Sequence, residues 1–496
     1  MTFRREAAAA LSALVLVLAL GGCADEARVA QGKATGPVSQ VFVRLLADAD
    51  TAMTQGQLAD AGRILDEARS LAPENPDLWV AIARLRLRGG EHLTALEAVD
   101  RALALGPDHA PALLLRAMMV RDAHGSNDAL VWFETARKAD PDNPDILAEY
   151  AATLGDSGQA SAMLEMVRAL GKAAPDDPRV PFLQAVLAAR GGEFTIARSL
   201  LVRSQMAERG VPAAMLLDAV ISLQEGNADS AAQTLEGLAL RQPANVRVRE
   251  LLAHALLAAR RDNELVQRFG NEAALPEASP YLAMLLARAH ERLGDRSAAA
   301  PLLARAYGRM REAPAVLVPR EGLPGPTADA RAALRAGNVS GARGQTAALR
   351  ARLPASADVA SLAGDALLGA GDPRAALAAY SRAAEVRRPW PLTRKTAWAL
   401  TRSGNAEAAE LLLIRHVTGE TQTATALTLL ARKQAGRGDW QRTAMLLDHA
   451  LGLGAGHDPA LLGLRLKAAQ ALGNTEEARR FALLLAEVQP RRLAAQ

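Results

Sequence analysis

The sequence predicts an all-α solenoid of repeated helical hairpins, and three columns of residues carry that prediction. Eight alanines stand one every 34 residues: Ala49, Ala83, Ala117, Ala151, Ala185, Ala219, Ala253 and Ala287. Twelve residues after each comes a mostly small column, Ala61, Ala95, Ala129, Met163, Ala197, Ala231, Leu265 and Ala299. Four further on the column is wholly apolar: Leu65, Val99, Phe133, Val167, Leu201, Leu235, Phe269 and Leu303. A period of about 34 with two helical patterns inside it is that of a helix–turn–helix repeat.

Each column has a physical reason. Small side chains are needed where two helix backbones approach closely, and the apolar column supplies the area buried between helices. Glycine precedes the second helix at Gly56, Gly90, Gly158, Gly192, Gly226 and Gly294, which places a turn there. The pairs Pro73/Pro76, Pro141/Pro144 and Pro175/Pro178 close one hairpin and open the next. Proline stops the helix before it and loses nothing at a helix start. Asn75, Asn143 and Asp177 precede the opening prolines and are candidate N-caps. The seventh repeat departs furthest, with Arg260 at the turn-glycine position and Glu272 at a small position.

In these columns the chain resembles the tetratricopeptide repeat family. Its second repeat carries the family pattern as Ala83, Gly90, Ala95, Val99, Ala102 and Pro107, with Trp79 at the aromatic position of the first helix. The resemblance covers roughly residues 40–312 and, less regularly, 327–490. It implies a right-handed superhelix of about 12–13 hairpins that holds partners together rather than a catalyst.

The first residues read as a targeting segment. Arg4 and Arg5 precede an apolar run from Ala7 to Leu20, too short to span a bilayer. Leu20-Gly21-Gly22-Cys23 resembles the lipobox of bacterial lipoproteins, so residues 1–22 are expected to be removed and Cys23 to carry lipid. The alternative is a secreted protein cut nearby. Against it, Cys23 is the only cysteine and would be a stray thiol in an oxidising compartment. Two or more acyl chains, palmitate among them, would anchor it stably. Ala24 after the cysteine favours the outer membrane over the inner under the sorting rule of enteric bacteria. Residues 23–39 then form a polar tether.

Residues 313–326 contain four prolines and two glycines and break the repeat. Beyond them the second-helix column resumes at Ala342, Ala376, Ala409, Thr443 and Ala478. The expected organisation is therefore about eight repeats over 40–312, the break, about five over 327–490, and a tail over 491–496. Half of the residues are hydrophobic but only 3% aromatic, and the net charge is +4. That balance gives no nucleic-acid footprint.

Fragments of catalytic motifs do not assemble. Gly155-Asp156-Ser157-Gly158 falls on the turn of the fourth repeat, without the base and orienting acid that a nucleophilic serine needs. His290-Glu291 has no second histidine one turn on. No catalytic residue, metal ligand or cofactor is expected.

By the resemblance, the first helix of each repeat lines a concave face. Candidate partner-binding residues there are Val80, Leu87, Leu114, Met118, Phe182, Val186, Leu216, Val220, Tyr281 and Met284, with Trp398 in the C-terminal block. The face is apolar enough to take an amphipathic helix or extended peptide. The alternative reading is that these residues are packed inside the protein. Arg394, Arg432 and Lys467 also take inner positions, and Arg387, Arg388 and Trp390 lie close by. These would suit an acidic partner or a glycan. The expected function is a lipid-anchored scaffold for other cell-envelope proteins, facing the periplasm, in exopolysaccharide export or in pilus or outer-membrane assembly. A glycan-binding or regulatory subunit of a cell-wall enzyme is the alternative.

Overall fold

The computed structural model describes residues 40–307 and 327–488, apart from 244, 276–277, 387, 421–422, 454 and 456–457. The leader, Cys23 and its tether, the 313–326 break and the tail lie outside the described residues. Every regular element described is a helix, and successive helices pair into thirteen hairpins.

The first four hairpins are α1 (Gln40–Thr54) with α2 (Leu58–Leu71), α3 (Pro76–Arg88) with α4 (His92–Leu105), α5 (Ala110–His124) with α6 (Ser126–Ala139), and α7 (Pro144–Asp156) with α8 (Ala160–Ala173). Four more follow: α9 (Arg179–Arg190) with α10 (Phe194–Ser204), α11 (Pro212–Gln224) with α12 (Ala228–Arg241), α13 (Val246–Ala258) with α14 (Asp262–Ala274), and α15 (Pro280–Arg292) with α16 (Arg296–Tyr307). Past the break come α17 (Ala328–Arg335) with α18 (Val339–Arg352), α19 (Ala357–Gly369) with α20 (Pro373–Ala384), and α21 (Trp390–Arg402) with α22 (Ala406–Gly419). The last two are α23 (Ala424–Gly436) with α24 (Trp440–Gly452), and α25 (Pro459–Ala471) with α26 (Thr475–Val488).

The sequence columns are the hairpin contacts. All eight alanines of the first column are 0% exposed. The second column is buried throughout, and the third is buried except at Leu303, which is partly exposed. Such positions leave no room for growth, because neighbouring side chains already touch on every side. Asn75 and Asn143 cap α3 and α7 as expected, accepting hydrogen bonds from Asp77 N and Asp145 N. α9 instead begins at Arg179, with Pro178 in the cap position. The turn glycines are left-handed, as at Gly90 (φ 75°) and Gly226 (φ 83°). Arg260 takes the same conformation (φ 59°), which a side chain bearing a Cβ adopts at a cost.

The described helices form two compact units that do not follow chain order. One takes the hairpins up to Asp177 together with those between the break and Glu420; the other takes those from Pro178 to the break and those beyond Glu420. Within the first unit, hairpins far apart in sequence meet along a seam. Leu93 N donates to Ala355 O (3.2 Å) and Ala357 N to His92 Nδ1 (3.2 Å), tying the start of α4 to the entry of α19. Arg388 N donates to Asp122 O (3.2 Å), and Asn127 Nδ2 to Thr418 O (2.8 Å). These bonds join the α5–α6 turn to the α20–α21 connection and the end of α22.

Candidate interaction faces

The first-helix face is not a continuous open groove. Val80, Leu114, Phe182, Val186, Leu216 and Val220 are all buried, Leu114 at 9% exposure and Leu216 at 2%. Within the first unit, Val80 packs with Ala83, Ala112, Leu115 and Met119, and Leu114 with Ala110, Ala117 and Phe133. Here the internal-packing reading of the apolar face holds, since residues without accessible surface cannot meet a partner. The hairpin-four positions Ala148, Ala152 and Gly155 are also buried. The remaining candidates, Leu87, Met118, Tyr281, Met284 and Trp398, keep part of their surface.

In the second unit Tyr281 and Met284 keep accessible surface on α15, beside α13. Tyr281 and His254 stack with centroids 6.4 Å apart, and the Tyr281 hydroxyl lies 2.9 Å from His254 Nδ1. Leu257 and Met284 remain partly exposed alongside, and Arg247 is exposed at the start of α13. The result is a half-apolar strip with charge at its edge. Ion pairs tie α13 and its neighbours together: Arg249 bridges to Glu272 (2.7 Å), and Arg261 joins Glu236 and Glu264. In the first unit, Arg402 stacks over the Trp398 ring at 5.0 Å, and Arg394 is partly buried with its guanidinium below the usual range through desolvation. Arg387 lies outside the described residues.

Two polar clusters of the first unit were not legible as such. Asp365, Lys395 and Tyr380 form a closed network: Lys395 Nζ lies 2.7 Å from Asp365 Oδ2, and the Tyr380 hydroxyl donates to Asp365 Oδ1 (2.8 Å). Lys395 Nζ also donates to Ser361 Oγ (3.3 Å). Burial pushes Asp365 up to about 6 despite the ammonium beside it, and burial lowers Lys395. The second cluster sits on the seam. Arg121 is buried and donates to Glu149 Oε2 (2.9 Å) and Thr153 Oγ1 (3.0 Å). Glu420 is pushed up to about 7, first by burial and then by Asp156, while a backbone hydrogen bond from Ser126 opposes the rise.

The catalytic fragments resolve into local structure. Ser157 Oγ donates to Thr153 O (3.0 Å), and Gly158 N closes the turn onto Gly155 O (2.9 Å). His290 pairs with Asp295 (3.6 Å) at the end of α15. No helix among the described residues is long and apolar enough to cross a membrane.

The tetratricopeptide repeat family model matches residues 52–119, the stretch from α1 to α5. Among solved structures, PilF of Pseudomonas aeruginosa is similar at 16% identity, covering 43% of this chain and 98% of that one, with a TM-score of 0.35. PilW, a type IV pilus biogenesis factor, is similar at 19%, covering 43% and 100%, with a TM-score of 0.35. Yeast Tom70 is similar at 15%, covering 90% and 98%, with a TM-score of 0.32. No curated protein matches the chain. The model matched over residues 52–119 and the hairpins repeated on the same ruler through the described residues give this chain a fold of the tetratricopeptide repeat kind.

Proposed function

We propose that this chain is a lipid-anchored scaffold of the bacterial cell envelope. Cys23 holds it in the outer membrane, and its hairpins dock other envelope proteins on the periplasmic side during assembly or secretion. A hairpin-repeat fold of this kind suits protein–protein interaction. The observation that carries the reading is the strip of Leu257, Tyr281 and Met284, which keeps apolar and aromatic surface accessible on a braced helix pair. Rigid aromatic and aliphatic side chains beside charge are what a partner helix or extended peptide anchors on. Trp398 with its stacked Arg402 favours a second reading, in which the C-terminal block binds a glycan.

In-cell photo-crosslinking tests the scaffold reading, with the probe placed at Met284, Leu87 or Trp398 and buried Leu216 as the control site. Discrete envelope proteins captured from Met284 and none from Leu216 support it. Glycan recovered from Trp398 with no protein from Met284 or Leu87 overturns it in favour of the second reading. Cys23→Ser tests the anchor: the variant should leave the membrane fraction, and an unchanged fractionation refutes lipidation.

A further inference from the structure

We propose that the seam of the first unit holds an oxyanion-binding site made by His124, Arg388 and Arg415. Its ligand is a phosphate or carboxylate group. The site does not depend on the scaffold reading.

The seam brings these three residues together from separate parts of the chain. His124 is the last residue of α5, Arg388 precedes α21, and Arg415 stands one turn before the end of α22. The Arg388 backbone is bonded to Asp122, two residues from His124. A Cβ built on Gly419, one turn after Arg415, would collide with the His124 carbonyl oxygen. Asn127 bonded to Thr418 closes the other side. These contacts bring together the three chain segments that carry His124, Arg388 and Arg415, and none of them involves the residues' own charged groups.

Their electrostatics are unbalanced. Burial lowers His124, then Arg388, Arg415 and Arg116 lower it further, and only Asp128 opposes them. Burial lowers Arg388, and Arg415 adds to that, again with Asp128 opposing. Arg116 is engaged elsewhere, with Asp100 at 3.6 Å and over the Trp132 ring. Among the described residues, neither the Arg388 nor the Arg415 guanidinium makes an ion pair or hydrogen bond, and the buried Nδ1 of His124 has no hydrogen-bond partner. Like charges held close, with Asp128 the one acid set against them, cost free energy. An oxyanion would offset that cost, give each guanidinium a charge-assisted acceptor and provide a partner for the imidazole. The site is reachable, since Arg415 is exposed and His124 and Arg388 are partly so.

The test is thermal unfolding of the full chain against inorganic phosphate and, separately, glucuronate, at constant ionic strength. The melting temperature should rise saturably with at least one probe. Phosphate alone points to a phosphoryl ligand and glucuronate alone to a uronic acid, and either supports the site. Arg415→Gln should weaken the response by about tenfold or more, and Arg388→Gln/Arg415→Gln should abolish it. Arg350→Gln, an exposed arginine on α18, should leave it intact. Independently, Arg415→Gln should raise the His124 titration midpoint seen by NMR, and the ligand should raise it in the unmodified protein. No saturable response to either probe, or an equal response in Arg415→Gln, overturns the proposal.

Discussion

Gly125 and Gly419 meet backbone to backbone, although nearly three hundred residues separate them: a Cβ built on Gly125 would lie 2.5 Å from the Gly419 carbonyl oxygen. The crowding is mutual, since a Cβ on Gly419 would strike the His124 carbonyl. Gly419 ends a helix and has no need of a left-handed conformation, so closeness alone requires glycine there. Gly419→Ala should therefore destabilise the first unit by roughly 1–3 kcal/mol through overpacking against main chain that cannot move aside. Gly344→Ala on α18 is the control. Nothing lies within 4 Å of its built Cβ, and it should gain about 0.4–1 kcal/mol. Urea unfolding of both variants checks the pair; an unchanged midpoint for Gly419→Ala would mean that the seam is not closed in solution.

Glu420 makes the same seam sensitive to pH. Its carboxyl is raised from an ordinary 4.5 to about 7, with burial the largest cause and Asp156 the next. A carboxyl whose folded pKa lies above its unfolded value contributes stability that is complete below the unfolded pKa. That contribution is lost as pH rises through the folded pKa. For Glu420 the window runs from about 4.5 to about 7. Glu420→Gln keeps an oxygen to accept the Ser126 N–H and removes the charge. Relative to the unmodified chain it should be neutral near pH 4 and more stable by roughly 1–3 kcal/mol at pH 8. Measuring the difference between the two proteins across pH cancels the titration of Asp365 and His416, which they share.

The ruler was legible because it is local. Ala83 touches residues of its own and adjacent hairpins, and every unit repeats that contact, so its constraint recurs in the sequence. Ala83→Leu should cost roughly 1–3 kcal/mol, since the position has no exposed surface to receive three further carbons. Calorimetry of that variant tests the register directly. The seam left no comparable trace. Gly125 and Gly419 each occur once, and an ordinary helix-end glycine looks the same in sequence. The sequence left both readings of the inner face open. Leu114, Phe182 and Leu216 fall where an open groove would be lined, and a period of 34 does not say how much of each side chain its neighbours cover; Leu114 is covered by residues of its own and adjacent hairpins. Lys395 gave a partial signal, lying 30 residues after Asp365 on the next first helix, but at a spacing off the ruler.

The Asp365–Lys395 pair separates burial from partnership. Both side chains are nearly inaccessible, at 0% and 2% exposure. Lys395→Met removes one charge and leaves a buried carboxylate facing apolar atoms, with only the Tyr380 hydroxyl to satisfy it. The expected loss is about 3–5 kcal/mol. Asp365→Leu/Lys395→Met removes both charges and should recover most of that loss, because a well-packed apolar pair avoids the desolvation cost of two ions. If the double variant is no more stable than the single one, the network's hydrogen bonds rather than its charges hold α19 to α21.

Arg260 gives the last prediction, and its sign is opposite to that of most substitutions. Every other turn of its class in the first eight hairpins that sits in the left-handed region does so with glycine, from Gly56 to Gly294. Arg260 adopts φ 59° because Leu256 and Leu257 accept the hydrogen bonds that close the α13–α14 turn, whichever residue stands there. A left-handed residue with a Cβ costs roughly 1–2 kcal/mol. Glycine escapes that cost but loses more backbone entropy on folding, by roughly 0.5–1 kcal/mol. Arg260→Gly should thus stabilise the second unit by up to about 1 kcal/mol, and Arg260→Asn by less. The reverse exchange at Gly226, Gly226→Arg, should cost about 1–2 kcal/mol at the same kind of turn. A melting temperature that falls in Arg260→Gly would show that the arginine side chain contributes more to hairpin seven than its backbone strain removes.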